Sequence, residues 1–458
     1  MVKWRTLLPE NRMTVYFSRW FSDLDWRRLL LLIPPLSLIL FLSLSSFSSS
    51  SSFFSPTNIP FAPIRSIFRG GRAFQFQVPS NNFNSTPIAS PTSPTGTPNQ
   101  NQNRTESLIK KKKEDELGRS RIAVCLVGGA RRFELTGPSI LDKILNKYSN
   151  SDLFLHSPVD PNAFKFSLLK SAPRIAAVKI FHPKPMPETE FQLRVLTAQN
   201  SPNGIQGLLQ YFNLVEGCLT MIQAYQKQNN FTYDWIVRTR VDGYWNAPLH
   251  PKYFVPGHYL VPPGSSYGGL NDRFGVGDLN TSTVALSRLS LLPQLDAAGL
   301  HQLNSETAFK AQLTTQGVPY VTKRLPFCIV TDRQYEFPPH RFGVPVASLS
   351  SPGPLSGAKC RPCTPVCRGP CVADVMLSLY KGWSWTHWAN GTLELCDAHK
   401  AWEKNWESKF DRVAGKKLAA ERKRVAGMTT EQCIHDFNQL KNRTANWDAP
   451  PAEQICSH

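Results

Sequence analysis

The longest apolar stretch of the chain comes early. Residues 29–47, LLLLIPPLSLILFLSLSSF, carry no charge, and a helix of that length rises nearly the thickness of a bilayer core. Pro34 and Pro35 lie in its first half, where they kink a membrane helix without forbidding it. Lys3, Arg5, Arg12, Arg19, Arg27 and Arg28 stand before it, and such a basic flank keeps an N-terminus in the cytosol. A cleaved signal peptide fits less well, because the basic segment is long and no Ala-x-Ala site follows. The uninterrupted apolar run argues against a plastid transit peptide. The pattern predicts a single-pass, type II membrane protein, with a cytosolic tail over 1–28 and a transmembrane signal anchor over 29–47.

Apolar periodicity then lapses. Residues 48–119 are rich in Ser, Pro, Asn and Thr, as in PTSPTGTPNQNQNRT. Such a segment buries too little surface to offset its ordering entropy. A disordered stem is expected here, closing on the lysine run 110–113 as a solvated hinge.

Periodicity returns at residue 121. RIAVCLV over 121–127 is a compact run of β-formers, ended by Gly128 and Gly129. Helical spacing follows Pro138, in SILDKILNKYSN. Short strands are expected over 152–156 and 175–181. A long helix is expected over 205–228, with Leu208, Phe212, Val215 and Leu219 on one face. A fourth strand is expected over 233–240. Strands alternating with helices predict an α/β fold, a mostly parallel sheet flanked by helices, over 120–335. Residues 336–458 form a Cys-rich, helical C-terminal extension in this reading.

The net charge of +19 is compatible with nucleic acid, an anionic surface or a phosphorylated ligand. No zinc-finger, RNA-recognition or basic-zipper pattern occurs, so no nucleic-acid partner is expected. Eight of the ten cysteines follow residue 320, and Cys360, Cys363, Cys367 and Cys371 crowd together. In a reducing compartment that spacing suits zinc; on the lumenal side of a membrane it is better read as disulfides, with connectivity left open. Sequons at Asn84, Asn103, Asn230, Asn280, Asn390 and Asn442 fit lumenal exposure, each weakly.

In a parallel sheet, ligands bind beyond the carboxyl ends of strands, so chemistry is sought there. The first strand runs into Gly128, Gly129, Arg131 and Arg132. Glycine lets backbone approach a ligand, and arginine grips phosphate bidentately. The fourth strand ends in Arg238, Arg240 and Asp242, which alternation sends to one face. They suit a diphosphate with a metal or sugar hydroxyl; an ordinary ion-pair network at a strand end is the plainer alternative. Residues 271–278, with Asp272, are expected to be a polar, glycine-broken loop that closes over a ligand or simply turns.

The series CLVGGARRFE, DLFLHS, YDWIVRTRVDGYW, NDRFGVG and NSETAF resembles glycosyltransferases of the GT-A type. It is most similar to a plant family of single-pass membrane proteins carrying such a head. The resemblance spans about residues 120–335. It implies a Golgi-type enzyme that takes a nucleotide-diphosphate sugar as donor and a glycan or glycoprotein as acceptor. Arg131 would stand near the nucleotide, and Asp242 in the place of the last acid of a metal-binding D-x-D. Two positions earlier stands Arg240, not an acid. A divalent metal such as manganese is therefore expected to matter little, with Arg240 as the main diphosphate contact and Asp272 as the one acid able to restore a pair. Glu306, in the first turn of a helix over 307–315 capped by Ser305, is the candidate catalytic base; it equally complements the helix dipole. The alternative is a non-catalytic lumenal scaffold that keeps the fold.

Past residue 335 the resemblance fades. Trp383, Trp385 and Trp388 suit a core or a sugar platform, and His387 a satisfied core position. Trp402, Trp406, Phe410 and Val413 mark an amphipathic helix with a basic opposite face that includes Lys404, Lys416, Lys417, Arg422 and Lys423. That helix docks on the head or on an anionic surface.

Overall fold

The computed structural model describes residues 111–457 apart from 200, 202, 338–343 and 380–391. The expected tail, anchor and most of the stem lie outside the described residues. So do Asn84, Asn103, Asn390, the three tryptophans at 383, 385 and 388, and His387. Among the described residues no helix is long and apolar enough to cross a membrane. Residues 111–119, expected as the end of the stem, are helical, and Leu117 is buried in the core.

The fold is mixed α/β, with two sheets flanked by helices. The larger sheet has eight strands in the order β14-β3-β2-β1-β4-β7-β6-β8, in which β6 is Tyr259–Val261, β7 Phe274–Asp278 and β8 Tyr320–Thr322. β1 (Ile122–Val127) lies between β2 (Ser151–Pro158) and β4 (Trp235–Arg240), parallel to both. β3 (Ile175–Phe181) and β14 (Thr444–Asp448) extend that parallel half. Every residue of β1 is buried. Ile122, Val124 and Leu126 join one apolar cluster, while Ala123, Cys125 and Val127 join another on the opposite face. A central strand must satisfy both faces, which is why its sequence is an unbroken apolar run rather than an alternation.

α1 (Phe133–Ile140) starts earlier than the spacing after Pro138 implied, and Pro138 lies inside it. A π-helical turn, Leu141–Leu145, prolongs it. α2 (Gly204–Asn229) packs on the Ala123–Cys125 face of the sheet. Small side chains there, with Ala176 and Ala177 on β3, let the helix come close. The opposite face is covered partly by the C-terminal region, with Cys433, Phe437 and Leu440 in the same cluster as Leu153 and Val178.

The second sheet has six strands in the order β12-β13-β10-β11-β9-β5, in which β10 is Val346–Ser348, β12 Pro365–Cys367 and β13 Leu395–Cys396. β5 (Gly243–Trp245) pairs antiparallel with β9 (Phe327–Val330), which runs parallel to β11 (Lys359–Arg361). Residues 241–242 are thus where the chain leaves the first sheet for the second. All ten cysteines pair as Cys125–Cys218, Cys328–Cys360, Cys363–Cys396, Cys367–Cys371 and Cys433–Cys456. The crowded thiols therefore hold disulfides, not zinc.

Two other expectations are corrected. Residues 274–278 are not a loop but β7 (Phe274–Asp278), antiparallel to β4. Its glycines answer to packing: a Cβ on Gly275 would stand 2.1 Å from the Tyr259 hydroxyl. Arg422 is not on a solvated basic face. It is buried, and its Nε and Nη2 donate to Asp411 at 2.8 and 2.9 Å. Its helix, Trp406–Ala426, breaks at Gly415, where φ is +81°.

Candidate functional site

After β1 the chain turns to one side, to β2 and β3, and then crosses back to β4 on the other side. This reversal leaves a crevice at the carboxyl ends of β1 and β4. A cleft of about 690 Å³ opens there, lined by Gly128, Gly129, Arg131, Arg240, Asp242 and Asp272, among others. The second sheet supplies the facing wall with Val330, Thr331, Asp332, Arg333 and Lys359.

Gly128 makes the turn out of β1 at φ +121°, where a side chain is strained. Arg131 follows at φ +39° and is exposed. Its Nη1 donates to Asp242 Oδ2 at 3.2 Å. Arg240 grips the same carboxylate bidentately, Nε to Oδ1 at 2.8 Å and Nη2 to Oδ2 at 2.7 Å. Burial works to raise the Asp242 carboxyl. The charge of Arg240 and its hydrogen bonds, aided by Arg131 and Lys359, overcome this and hold it well below the usual carboxylate range. Arg240 stays protonated for the reciprocal reason: Asp242 outweighs its burial.

Arg238 lies below the cleft floor rather than in it. It is buried and donates to the Asp272 carbonyl and the Tyr211 hydroxyl. Asp272 Oδ2 accepts from Ser305 Oγ at 2.7 Å and lies 3.8 Å from Arg288. Burial opposes its ionisation, but Arg288 and Arg238 hold its carboxyl below the ordinary value. Ser305 is thus the first residue of α3 (Ser305–Thr315), not its cap. Asn304 is the cap, accepting from Thr307 N at 2.8 Å. That places Glu306 in the first turn, half-buried on the cleft wall. Burial, with the neighbouring Asp272 charge, pushes its carboxyl up to about 8.

The chain belongs to the family described as a domain of unknown function, DUF7796. The match covers residues 117–458 and so takes in both sheets. No curated protein matches the chain.

Three residues in or behind the cleft of this DUF7796 domain carry no clear sign in the sequence. Tyr211 projects from α2, and its hydroxyl donates to the Asp272 carbonyl at 3.1 Å. Arg288 is buried in an aromatic cage, 4.5 Å over Phe212 and 4.8 Å over Phe309. Its Nη2 donates to the Ser305 carbonyl at 2.8 Å, fixing the start of α3. A lone arginine in the apolar stretch ALSRLSLLPQL was the available signal. Lys359 gave none, because it lies in the region where the resemblance had faded.

The donor set does not fit a divalent metal. Both Asp242 oxygens face guanidinium groups, and Asp272 Oδ2 is taken by Ser305 and Arg288. Among the described residues, no three His, Cys, Asp or Glu side chains converge as metal ligands. The site instead presents cations, Arg131, Arg240 and Lys359 among them, together with the Glu306 carboxyl, which is mostly protonated at neutral pH. Such a set can hold a polyanionic ligand and exchange a proton with it.

Proposed function

We propose that the DUF7796 domain of this chain is a GT-A-like glycosyltransferase head. It binds a nucleotide-diphosphate sugar in the cleft beyond β1 and β4 and transfers the sugar to a glycan or glycoprotein acceptor. One observation carries the reading: the strand-order reversal, the glycine turn, the cations Arg131, Arg240 and Lys359 and a protonatable carboxyl meet in one cleft. Gly128 and Gly129 admit the donor, while Arg131 and Arg240 meet its phosphates. Arg238, Tyr211 and Arg288 hold Asp272 and the start of α3 in register. Glu306 takes the proton of the acceptor hydroxyl.

The same reading places the domain in the Golgi lumen behind a type II anchor. Five disulfides favour an oxidising compartment. The sequon residues Asn230, Asn280 and Asn442 are exposed, as attachment of a glycan requires. The engagement of both Asp242 oxygens by arginines favours a second reading, a lumenal binding protein without transfer activity.

A thermal-shift panel of nucleotide sugars on the 111–458 fragment, with manganese or with chelator, tests the first step. A matching donor at 100 times its Kd stabilises the fold by about 2.7 kcal/mol. The shift is expected to persist in chelator. A panel in which no nucleotide sugar raises the melting temperature sinks the proposal.

The pH profile tests the base. Glu306 has to be ionised to accept a proton, and its carboxyl is raised to about 8. Transfer is therefore expected to climb from pH 6, to reach half its limit near pH 8, and to level off about a unit higher, where Glu306 is ionised. Glu306→Gln is expected to lower turnover by about 100-fold or more while leaving donor binding intact. A transferase whose Glu306→Gln variant keeps both rate and profile has another base. Donor binding without transfer at any pH favours the second reading.

A further inference from the structure

Lys359 opens β11 in the second sheet, opposite Ile329 of β9, and its side chain reaches the cleft from the wall that faces Arg131. Its charged neighbours are Arg273, Arg240, Asp242 and Arg131. Three of those four are cations. Arg273 is itself tied down, its Nη1 donating to Ser265 Oγ at 2.9 Å and to the Gly357 carbonyl at 2.7 Å. Asp242 is the one acid, and Arg240 and Arg131 already occupy its oxygens. Among the described residues, the Lys359 ammonium makes no hydrogen bond or ion pair.

A half-buried ammonium in this company is costly, since it gives up water and gains repulsion. Burial first, then Arg273 and Arg240, push its pKa well below the ordinary lysine value. Unpaired charge of this kind is found where a ligand supplies the counter-ion. Arg240 has turned its Nε and Nη2 to Asp242. Among the described residues that line the cleft, Lys359 is the half-buried cation whose donors are all free, whereas Arg333 is exposed to solvent.

We propose that Lys359 is the principal anchor for the ligand's diphosphate, taking the part that a divalent metal plays at sites with paired acids. This deepens the donor reading above and rests on it for the identity of the ligand. Arg131 and Arg240 flank the diphosphate, and Lys359 closes the ring from the second sheet. The anchor thus comes from outside the stretch that carried the resemblance. In that case the second sheet is part of the binding site and not an appendage to it.

The test measures binding of inorganic pyrophosphate and of UDP and GDP by calorimetry in chelator, on the full-length chain. Lys359→Met is expected to weaken pyrophosphate binding by about 10- to 100-fold, as loss of one charge-assisted contact does. Lys359→Arg is expected to restore most of it. Unliganded Lys359→Met should melt at or above the wild-type temperature, because an unpaired cation has been removed. A lysine with only a structural role predicts the reverse, a lower melting temperature with binding unchanged.

Equal pyrophosphate affinity in wild type and Lys359→Met overturns the assignment, and if UDP or GDP still binds, the donor reading survives it. Lys359-dependent binding of pyrophosphate without either nucleotide supports the anchor and removes the support for those two nucleotides as donors. A wild-type chain that binds none of the three overturns the anchor together with a diphosphate donor.

Discussion

Replacing Cys125 and Cys218 together by alanine is expected to destabilise the domain by about 4 kcal/mol. The bridge ties the middle of β1 to α2 across 93 residues of sequence. Closing a loop that long removes much of the unfolded chain's freedom, so its loss favours the unfolded state. For a domain of this size the melting temperature should fall by roughly 5–10 °C. The control is Cys367→Ala with Cys371→Ala, whose bridge spans only 4 residues and is expected to contribute about 2 kcal/mol. Function should follow stability in the first pair alone. Gly128 turns out of β1 just after Cys125, and Gly207, Leu208 and Tyr211 line the cleft from α2. Thermal unfolding of both double variants under non-reducing conditions decides the matter. Equal losses for the long and short bridges would contradict the loop-entropy account.

Asp242→Ala is expected to cost about 3 kcal/mol, the low end for breaking a buried ion pair, since the cleft admits some water. Asp242 is buried and accepts from Arg240 twice and from Arg131 once. Without it the two arginines and Lys359 stand together with no carboxylate among them. The deficit should depend on pH in a definite direction. The folded-state pKa of Asp242 is depressed, so its contribution is complete above the unfolded value, near 4, and is lost as pH falls towards the folded value. Wild type and Asp242→Ala should therefore converge in stability in acid. Added pyrophosphate should recover part of the deficit at pH 7, because it returns negative charge to the same place. Denaturant melts at pH 7 and pH 3, with and without pyrophosphate, measure both effects. A variant as stable as wild type at pH 7 would show that the arginines find other partners.

Much of the first sheet was legible because its strands are self-evident locally. A run such as IAVCLV has no way to satisfy itself except as a strand buried on both faces. The helix over 204–229 announced itself by Leu208, Phe212, Val215 and Leu219. The placing of Arg131, Arg240 and Asp242 at one cleft followed from strand ends alone, since parallel strands with a reversal of order share an edge. β7 was misread because its glycines look like loop residues in a window of sequence. They are required by the Tyr259 ring packed on them, a neighbour that no local pattern reveals.

What remained belongs to distance along the chain. The expected lumenal placement pointed to disulfides over zinc, but the pairing of Cys125 with Cys218 depends on which helix lies over which strand. β14 adds to the sheet beside β3 from the far end of the chain, and its half-buried residues carry no sign of their partner. The sequence alone determined the strand-helix alternation and the charged residues that end its strands, because both are set by near neighbours. The tertiary structure decided that Arg238 lies beneath the cleft, that Arg288 is buried behind Asp272 and that Lys359 reaches the cleft. Burial and charge pairing are properties of what packs against a residue, and those neighbours come from every part of the fold.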